Sequence, residues 1–318
     1  MSAKHPVVAI TGSSGACTSN VRAIFQEIFR REGVVAAFVD GDAFHRYDRV
    51  EMRVKMAEAQ GAGNGRFSHF GPEANLLEDL EALFRVYGES GTGRTRNYLH
   101  TEADAAPYGQ QPGTFTPWDA IPPHTDVLFY EGLHGGVVTD TVNVARHVDV
   151  LIGVVPSINL EWIQKLCRDK TVRGYSHEAV VDAILRRMPD YVNYICPQFG
   201  LTDVNFQRIP IVDTSNPFSM RSVPKADESM LLIRFKDPKG IDFPYLLAML
   251  HASFMSRSNT IVCPGGKMAL AMQLIFTPMV WQLMDRKKRL FSRERLPPHT
   301  ERVADNLVAV TMSGAARE

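Results

Sequence analysis

Residues 7–19 read Val7-Val8-Ala9-Ile10-Thr11-Gly12-Ser13-Ser14-Gly15-Ala16-Cys17-Thr18-Ser19. The apolar beginning is typical of a buried strand, the middle is a turn of small residues, and a helical pattern starts near Thr18. A strand that leads through a glycine-rich turn into a helix points backbone N–H groups at one place, where an anion binds favourably. We therefore predict a phosphate-binding loop over residues 12–19.

This loop departs from the Walker pattern G-x-x-x-x-G-K-[ST], which requires glycine at position 17 and lysine at position 18. The chain has Cys17 and Thr18 there, while Gly12, an additional Gly15 and Ser19 remain. The last hydroxyl of such loops binds Mg²⁺, so Ser19 is a candidate metal ligand. An ordinary strand-turn-helix corner has the same pattern, and the loop alone leaves that alternative open.

Length and composition limit the class of protein. The 318 residues, 45% of them hydrophobic, suffice for one large α/β domain or two small ones. Thirty-five basic residues balance 35 acidic ones, so we expect no nucleic acid and no membrane surface as a partner. Apolar runs all fall short of the ~18 residues of a membrane span. Four widely separated cysteines favour a reducing, cytoplasmic location.

A second apolar run, residues 34–39, follows the first predicted helix and ends at Asp40-Gly41-Asp42. Strand, helix and strand at this spacing predict a βαβ unit. Open parallel sheets bind their ligands beyond the carboxyl ends of the strands. Asp42 is therefore expected at the same edge as the phosphate-binding loop, where its carboxylate is a candidate general base.

Residues 44–53 predict a short helix with three basic residues on one face. His45, Arg49 and Arg53 recur at every fourth position. Such cations beside a carboxylate suit a phosphomonoester substrate, but a solvated basic helix face has the same pattern. Tyr98 and His100 alternate with apolar neighbours in a predicted short strand, which is typical of residues at the edge of a core.

Two later segments carry the charged residues that phosphoryl transfer needs. The apolar run 127–130 ends at Glu131-Gly132, an arrangement in which phosphate-loop proteins hold a carboxylate near Mg²⁺. A helix predicted over residues 159–169 carries Lys165, Arg168 and Asp169, two cations for the transferring group and a metal-associated acid. A series of surface ion pairs is the alternative explanation for that helix.

The remaining sequence predicts further elements of an α/β fold. We expect strands over residues 148–155, 209–214 and 230–235, and helices over residues 72–87, 177–188, 244–257 and 267–284. The later sequence is charged and contains prolines. We therefore assign residues 1–285 to a single domain and residues 286–318 to a charged tail that adds little to the core.

Eight short segments occur in the order in which a known family has them. They are Gly12-Ser13-Ser14-Gly15, Gly41-Asp42-Ala43-Phe44-His45-Arg46, Phe67-Ser68-His69-Phe70, Tyr130-Glu131-Gly132-Leu133-His134-Gly135, Asn159-Leu160-Glu161-Trp162-Ile163-Gln164-Lys165, Arg173-Gly174-Tyr175, Asp213-Thr214-Ser215-Asn216-Pro217-Phe218 and Gly240-Ile241-Asp242-Phe243-Pro244-Tyr245. Together, over about residues 5–285, they closely resemble the proteobacterial phosphoribulokinases.

The resemblance implies an α/β architecture, the P-loop kinase-like three-layer fold with a mixed, mostly parallel sheet. It also implies an enzyme that uses ATP with Mg²⁺ to phosphorylate ribulose 5-phosphate at its C1 hydroxyl. The product, ribulose 1,5-bisphosphate, is the acceptor for carbon dioxide fixation in the Calvin cycle.

The resemblance also assigns roles by matching motif. Asp42 resembles the catalytic base, Lys165 and Arg168 the catalytic cations, and Glu131 and Asp169 the metal-associated acids, with Asp169 also counted as catalytic. The nucleotide would lie against residues 12–19. The substrate candidates are His45, Arg49 and Arg173, which match sugar-phosphate ligands, together with Arg53, Tyr98 and His100.

Bacterial members of that family are oligomers activated by NADH, so the resemblance implies a homo-oligomer and an NADH effector. The arginines that match the effector-binding or effector-response positions are Arg31, Arg186, Arg187, Arg234 and Arg257.

Two residues of the loop leave alternatives open. Thr18 in place of lysine is usual for this branch, but Cys17 and Asn20 depart from it. A catalytically weak paralogue that binds nucleotide or effector as a regulatory subunit is one alternative. A uridine-kinase-like enzyme is another, although its nucleoside acceptor gives the basic residues near Asp42 no binding role.

Overall fold

In the computed structural model, residues 7–12 form an inner strand whose side chains are all buried. The structure describes residues 4–12, 18–171 and 174–294, with side chains except at residues 18–20 and 293–294. The strands are β1 (Val7–Gly12), β2 (Ala36–Asp40), β3 (Arg94–Thr95), β4 (Asp119–Ala120), β5 (Val127–Gly132), β6 (Val150–Pro156), β7 (Val204–Pro210), β8 (Ser229–Phe235), β9 (Phe254–Arg257) and β10 (Thr260–Pro264).

Helices connect these strands. They are α1 (Thr18–Arg31), α2 (Arg49–Gly61), α3 (Leu77–Ser90), α4 (Glu102–Ala105), α5 (Ile158–Thr171), α6 (His177–Asp190), α7 (Gln198–Leu201), α8 (Phe243–Met249) and α9 (Met268–Glu294). A π-helical segment, Tyr191–Ile195, joins α6 to α7. Among the described residues, none of the helices combines the length and apolar character needed to cross a membrane.

Eight of the described strands form one mixed sheet in the order β2-β5-β1-β6-β7-β8-β10-β9. The first five are mutually parallel, and the pairings of β8 with β7 and β10, and of β10 with β9, are antiparallel. Because β1 lies inside the sheet, its alternate residues face two separate layers. Val8 and Ile10 pack towards α1 and α9, whereas Val7 and Ala9 pack towards α3. The predicted three-layer α/β fold with a mixed, mostly parallel sheet is confirmed.

The helix predicted over residues 44–53 is wrong in its first half. Residues Gly41–Phe44 form a 3-10 turn, and α2 begins only at Arg49. The reason is a capping box: Asp48 Oδ1 accepts from Val50 N and Glu51 N at 2.8 Å, and Glu51 Oε2 accepts from Asp48 N at 3.0 Å. His45 therefore precedes the helix, and the predicted basic face contains only its two arginines.

The helix predicted over residues 72–87 begins and ends later than expected. Pro72–Ala74 is a separate 3-10 turn, and α3 continues through Gly88 to Ser90. Gly91 ends the helix in the left-handed conformation, with φ of 71°, which glycine adopts without steric cost.

Other boundaries differ where short apolar runs fit either a helix or a strand. The predicted helix 244–257 is instead α8 followed by β9, and β7 ends at Pro210 rather than continuing over residues 211–214. The predicted strand around Tyr98 is a single bridge to Phe115.

The last described helix, α9, passes the predicted domain boundary at residue 285 and ends at Glu294. Two ion pairs attach its carboxyl-terminal part to the domain: Arg286 Nη2 lies 2.6 Å from Asp149 Oδ1, and Lys287 Nζ lies 2.8 Å from Asp126 Oδ1. Arg286 and Lys287 of the predicted tail thus contact the domain. Residues 295–318 lie outside the described residues. The division of the chain at residue 285 stays a prediction.

Candidate active site

One edge of the sheet collects most of the predicted site. In the parallel register Asp40 lies opposite Glu131, Glu131 lies opposite Ile10, and Gly12 lies opposite Val154. The carboxyl ends of β1, β2, β5 and β6 therefore meet, as expected for an open parallel sheet. The turn with Asp42 directly follows β2, and α5 begins two residues after β6.

Part of the phosphate-binding loop is outside the described residues. Gly12 ends β1, and Thr18 and Ser19 lie in the first turn of α1, where their side chains are not described. The predicted roles of Ser13, Ser14, Gly15, Ala16, Cys17 and Arg173 all concern residues that lie outside the described part of the chain.

Two glycines allow the turn that carries Asp42 to lie directly against β5. A Cβ atom on Gly41 would be 2.7 Å from Gly132 Cα and 2.5 Å from the Tyr130 hydroxyl. A Cβ atom on Gly132 would meet Gly41 Cα at 2.7 Å and the same hydroxyl at 2.5 Å. Tyr130 is fully buried, so it has no open space into which to move. The position of Asp42 thus depends on two residues without side chains.

Replacing Gly132 by alanine is expected to displace this turn. We expect a loss of about 1–3 kcal/mol in the free energy of unfolding, because a close backbone contact is overpacked. Turnover should also fall by about 10-fold to 100-fold, because a small displacement of a catalytic group is costly. Urea unfolding and steady-state kinetics measure the two effects.

Gly200→Ala is the matched control, since a Cβ atom there meets nothing within 4 Å. Equal stability and turnover in Gly132→Ala and Gly200→Ala would show that the contact between the two glycines does not position the turn.

Asp42 is held between two histidines. His45 Nε2 lies 3.1 Å from Asp42 Oδ1, and His100 Nε2 lies 3.1 Å from Asp42 Oδ2. Burial alone raises the pKa of the Asp42 carboxyl, but the charges and hydrogen bonds of both histidines outweigh it and hold this pKa well below its usual range. The carboxylate is therefore ionised at neutral pH and able to accept a proton from a nearby hydroxyl.

Four of the substrate candidates surround this carboxylate. Besides the two histidines, Arg49 Nη2 donates to the His100 carbonyl at 2.9 Å, and the Tyr98 ring is 4.8 Å from the His100 ring and 6.3 Å from the His45 ring. Arg53 lies one turn further along α2 and is exposed. Tertiary contacts, rather than one helix face, bring His45 and Arg49 together.

Two residues that support the Asp42 turn had no sequence signal. Arg96 donates to the Ala43 carbonyl at 2.8 Å and to the His45 carbonyl at 2.6 Å, with its guanidinium 3.6 Å from the centre of the Phe115 ring. Asn75 contacts the His45 ring, with 2.9 Å between Asn75 Oδ1 and His45 Nδ1. Arg96 and Asn75 are each more than 25 positions from the residues that they contact, so no local spacing in the sequence indicates these contacts.

The predicted catalytic cations lie on α5. Lys165 Nζ contacts Asp169 Oδ2 at 2.5 Å, and Arg168 Nε donates to Asp169 Oδ1 at 3.0 Å. Lys165 and Asp169 are buried. Burial and the charge of Arg187 lower the pKa of Lys165 to about 7, although Asp169 acts in the opposite direction.

His69 packs near His45, and charges from both Asp42 and Lys165 act on it. Its ring is 4.6 Å from the His45 ring. Burial and then the charges of His45 and Arg187 hold the pKa of His69 well below its ordinary value, and Lys165 contributes in the same direction. Asp42 and Lys165 therefore both act on the His69 ring.

The candidate metal ligands do not form a cluster among the described residues. Across residues 4–12, 18–171 and 174–294, no three His, Cys, Asp or Glu side chains converge in a way that could hold a metal ion. Glu131 is half-buried at the edge of the sheet, opposite Asp40. Asp169, in contrast, contacts Lys165 and Arg168 with its two oxygens.

The predicted effector arginines occupy several elements. Arg31 is exposed at the end of α1, Arg186 pairs with Asp182, and the guanidinium of Arg187 lies 5.2 Å from the centre of the Phe70 ring. Arg234 in β8 and Arg257 in the edge strand β9 both lie opposite Thr260 of β10.

Comparisons with known proteins agree on one family. A model described as "Phosphoribulokinase / Uridine kinase family" matches residues 7–215. The protein "Phosphoribulokinase, plasmid" of Cupriavidus necator is 68% identical over 289 residues, which are 91% of this chain and 99% of that protein. The phosphoribulokinase of Nitrobacter vulgaris is 65% identical over 286 residues, which are 90% of this chain and 99% of that protein.

A solved structure extends the comparison to three dimensions. The phosphoribulokinase from Rhodobacter spheroides matches with a TM-score of 0.84 and 54% identity, over 90% of this chain and 100% of that chain. The likeness in three dimensions thus extends over nine-tenths of the chain.

Proposed function

The chain belongs to the phosphoribulokinase / uridine kinase family, and we propose that it transfers the γ-phosphoryl group of ATP to the C1 hydroxyl of ribulose 5-phosphate. It has the P-loop kinase fold and acts as an ATP-dependent phosphoribulokinase, an enzyme of the Calvin cycle. The observation that supports the site best is the Asp42 carboxylate, held by His45 and His100 at the edge of the sheet where β1, β2 and β5 end.

Asp42 is proposed as the general base. Its carboxylate accepts the proton of the C1 hydroxyl while the hydroxyl oxygen attacks the γ-phosphorus in line with the leaving ADP oxygen. The low pKa of Asp42 means that the group is ionised when the substrate arrives but is a weak base, so its fixed position between His45 and His100 is what supports this role. The sugar-phosphate end of the substrate would bind to Arg49, Arg53, Tyr98, His100 and Arg173. His45 would act on it through its charge, because both of its ring nitrogens already face protein oxygens.

Lys165 and Arg168 are proposed to stabilise the negative charge on the equatorial oxygens of the transferring group. Asp169 supports them by holding both cations in one orientation, since it contacts each of them. A phosphate near Lys165 would raise its pKa and keep it charged in the complex.

A divalent metal ion accompanies ATP in this kinase family, and we propose Mg²⁺. Such sites use one or two carboxylates and complete the coordination with nucleotide phosphates and water. Glu131 offers one half-buried carboxylate at this edge of the sheet, opposite Asp40. We propose that Glu131 and Ser19 hold the ion, while Asp169 remains the second candidate acid. When bound, the ion neutralises charge on the β- and γ-phosphates.

Residues 12–19, including Cys17, are proposed to bind the triphosphate. We also propose a homo-oligomer in the cytoplasm with NADH as an effector. The common position of Arg234 and Arg257 opposite Thr260 supports one effector surface, to which Arg31, Arg186 and Arg187 are added from the sequence resemblance.

ADP release in the presence of Mg-ATP tests the function directly. We expect turnover with ribulose 5-phosphate and only background release with uridine or with no acceptor. Preference for uridine would overturn the assignment in favour of a nucleoside kinase. Background release with every acceptor would instead indicate a regulatory subunit.

A further inference from the structure

Both nitrogens of the His45 ring face an oxygen atom. Nδ1 lies 2.9 Å from Asn75 Oδ1, and Nε2 lies 3.1 Å from Asp42 Oδ1. His45 is 8% exposed, so water does not replace either partner. A neutral imidazole has one N–H donor and therefore satisfies only one of two acceptors.

The orientation of the Asn75 amide decides which group donates. Asn75 Nδ2 lies 2.9 Å from the His69 carbonyl and 2.7 Å from the Gly71 carbonyl, and these oxygens can only accept. The amide nitrogen must therefore face the two carbonyls, which leaves Oδ1 directed at His45. An amide oxygen only accepts, so His45 Nδ1 must carry a proton.

We propose that Asn75 is a positioning residue that fixes His45 as a doubly protonated imidazolium and directs its Nε2–H at the Asp42 carboxylate. Nδ1–H donates to Asn75 Oδ1, and Nε2–H then donates to Asp42 Oδ1. Asn75 is 1% exposed and lies outside every sequence segment singled out for function.

The surroundings of His45 agree with a positive ring. Asp42 and Asp40 supply negative charge from the end of β2, and together with Asn75 they raise the pKa of His45 although burial opposes this. His69 and His134 face it from two other segments, and burial lowers the pKa of each, that of His134 to about 4, so both are neutral. The Tyr98 ring lies 6.3 Å from the His45 ring, and His100 contacts the other oxygen of Asp42.

A side-chain replacement at Asn75 leaves its backbone anchored. Residues 45 and 75 form an isolated bridge, Arg46 N donates to the Ala74 carbonyl, and Leu76 N donates to the Phe44 carbonyl. Asn75→Leu therefore removes the acceptor for His45 with little change in the path of the chain. Asn75→Asp keeps the oxygen that faces His45, while its second oxygen takes the place of Nδ2 beside the His69 and Gly71 carbonyls and must be protonated to donate to one of them.

The sign of the pH effect follows from the two partners. Without the Asn75 acceptor, His45 loses its proton at lower pH, and Asp42, without its cationic neighbour, gains one at higher pH. This step rests on the proposed function, in which Asp42 must be ionised and His45 charged. The pH range over which kcat/KM is high then narrows, because its lower limit, set by Asp42, rises and its upper limit, set by His45, falls. The KM for ribulose 5-phosphate should rise more than the KM for ATP.

The test is the NMR titration of His45, whose signals are identified by their loss in His45→Gln. In the wild type at pH 7.5 we expect both ring nitrogens to be protonated, and a neutral ring there would overturn the proposal without any variant at position 75. In Asn75→Leu the titration midpoint should fall by about one pH unit or more, with recovery in Asn75→Asp.

Ser68→Ala is the matched control, because it loosens the same segment through the Ser68 bonds to Asp190 and Phe70 N without contacting His45. Its His45 titration should match the wild type, and a fall equal to that of Asn75→Leu would overturn the positioning role. The titration requires no turnover, so it remains informative even if ribulose 5-phosphate is not the substrate.

Discussion

Replacing Asp42 by asparagine is expected to lower kcat by about 10²–10⁴-fold while the KM for ATP changes little. Asparagine has nearly the same shape and still offers an oxygen to one histidine, but its amide accepts no proton from the C1 hydroxyl. Steady-state kinetics with ATP and ribulose 5-phosphate varied in turn measures the separation between kcat and KM.

Asp48→Asn is the matched control, since Asp48 caps α2 six residues away and asparagine is an equally good cap. Its kinetics should match the wild type. If Asp42→Asn also retained most of its turnover, Asp42 would not be the base.

Replacing Lys165 by methionine is expected to lower kcat by about 10²–10³-fold, the range found when one group that stabilises developing charge is removed. The reason is its location: a buried cation beside Asp169 and close to His69 acts where water does not screen its charge. The effect should fall on kcat more than on the KM for ATP.

Lys170→Met controls for the loss of a lysine on the same helix, because Lys170 is exposed. Circular dichroism and thermal unfolding should show that Lys165→Met is folded, since Asp169 retains Arg168 as its partner. An equally small effect of both substitutions on kcat would remove Lys165 from the catalytic group.

Much of the site could be predicted from the first part of the sequence. Buried apolar runs before Gly12 and Asp42 predict parallel strands of one sheet, and parallel strands bring their carboxyl ends to one edge. The structure confirms this shared edge, with β5 between β1 and β2. The same reasoning located Glu131 at the end of β5 and Lys165 on the helix after β6, because each follows from strand order and helical spacing.

Such reasoning does not predict contacts between residues that are far apart in the sequence. His45 reaches Asp42 from a 3-10 turn rather than from a helix face, because the capping box at Asp48 delays α2. Asn75 and Arg96 approach His45 from segments 30 and 51 positions away, and nothing in their local sequence indicates a partner. The same limit explains why β9, which pairs with β10, was predicted as the end of a helix.

The central claim is that the edge of the sheet near Asp42 transfers a phosphoryl group to a carbon-1 hydroxyl. Phosphorus-31 NMR of a mixture of the protein, Mg-ATP and ribulose 5-phosphate follows every phosphorus atom in this reaction. We predict that ADP and a second phosphomonoester signal, coupled to the protons on C1, grow in equal amounts. Growth of ADP with inorganic phosphate and without the new phosphomonoester would contradict it.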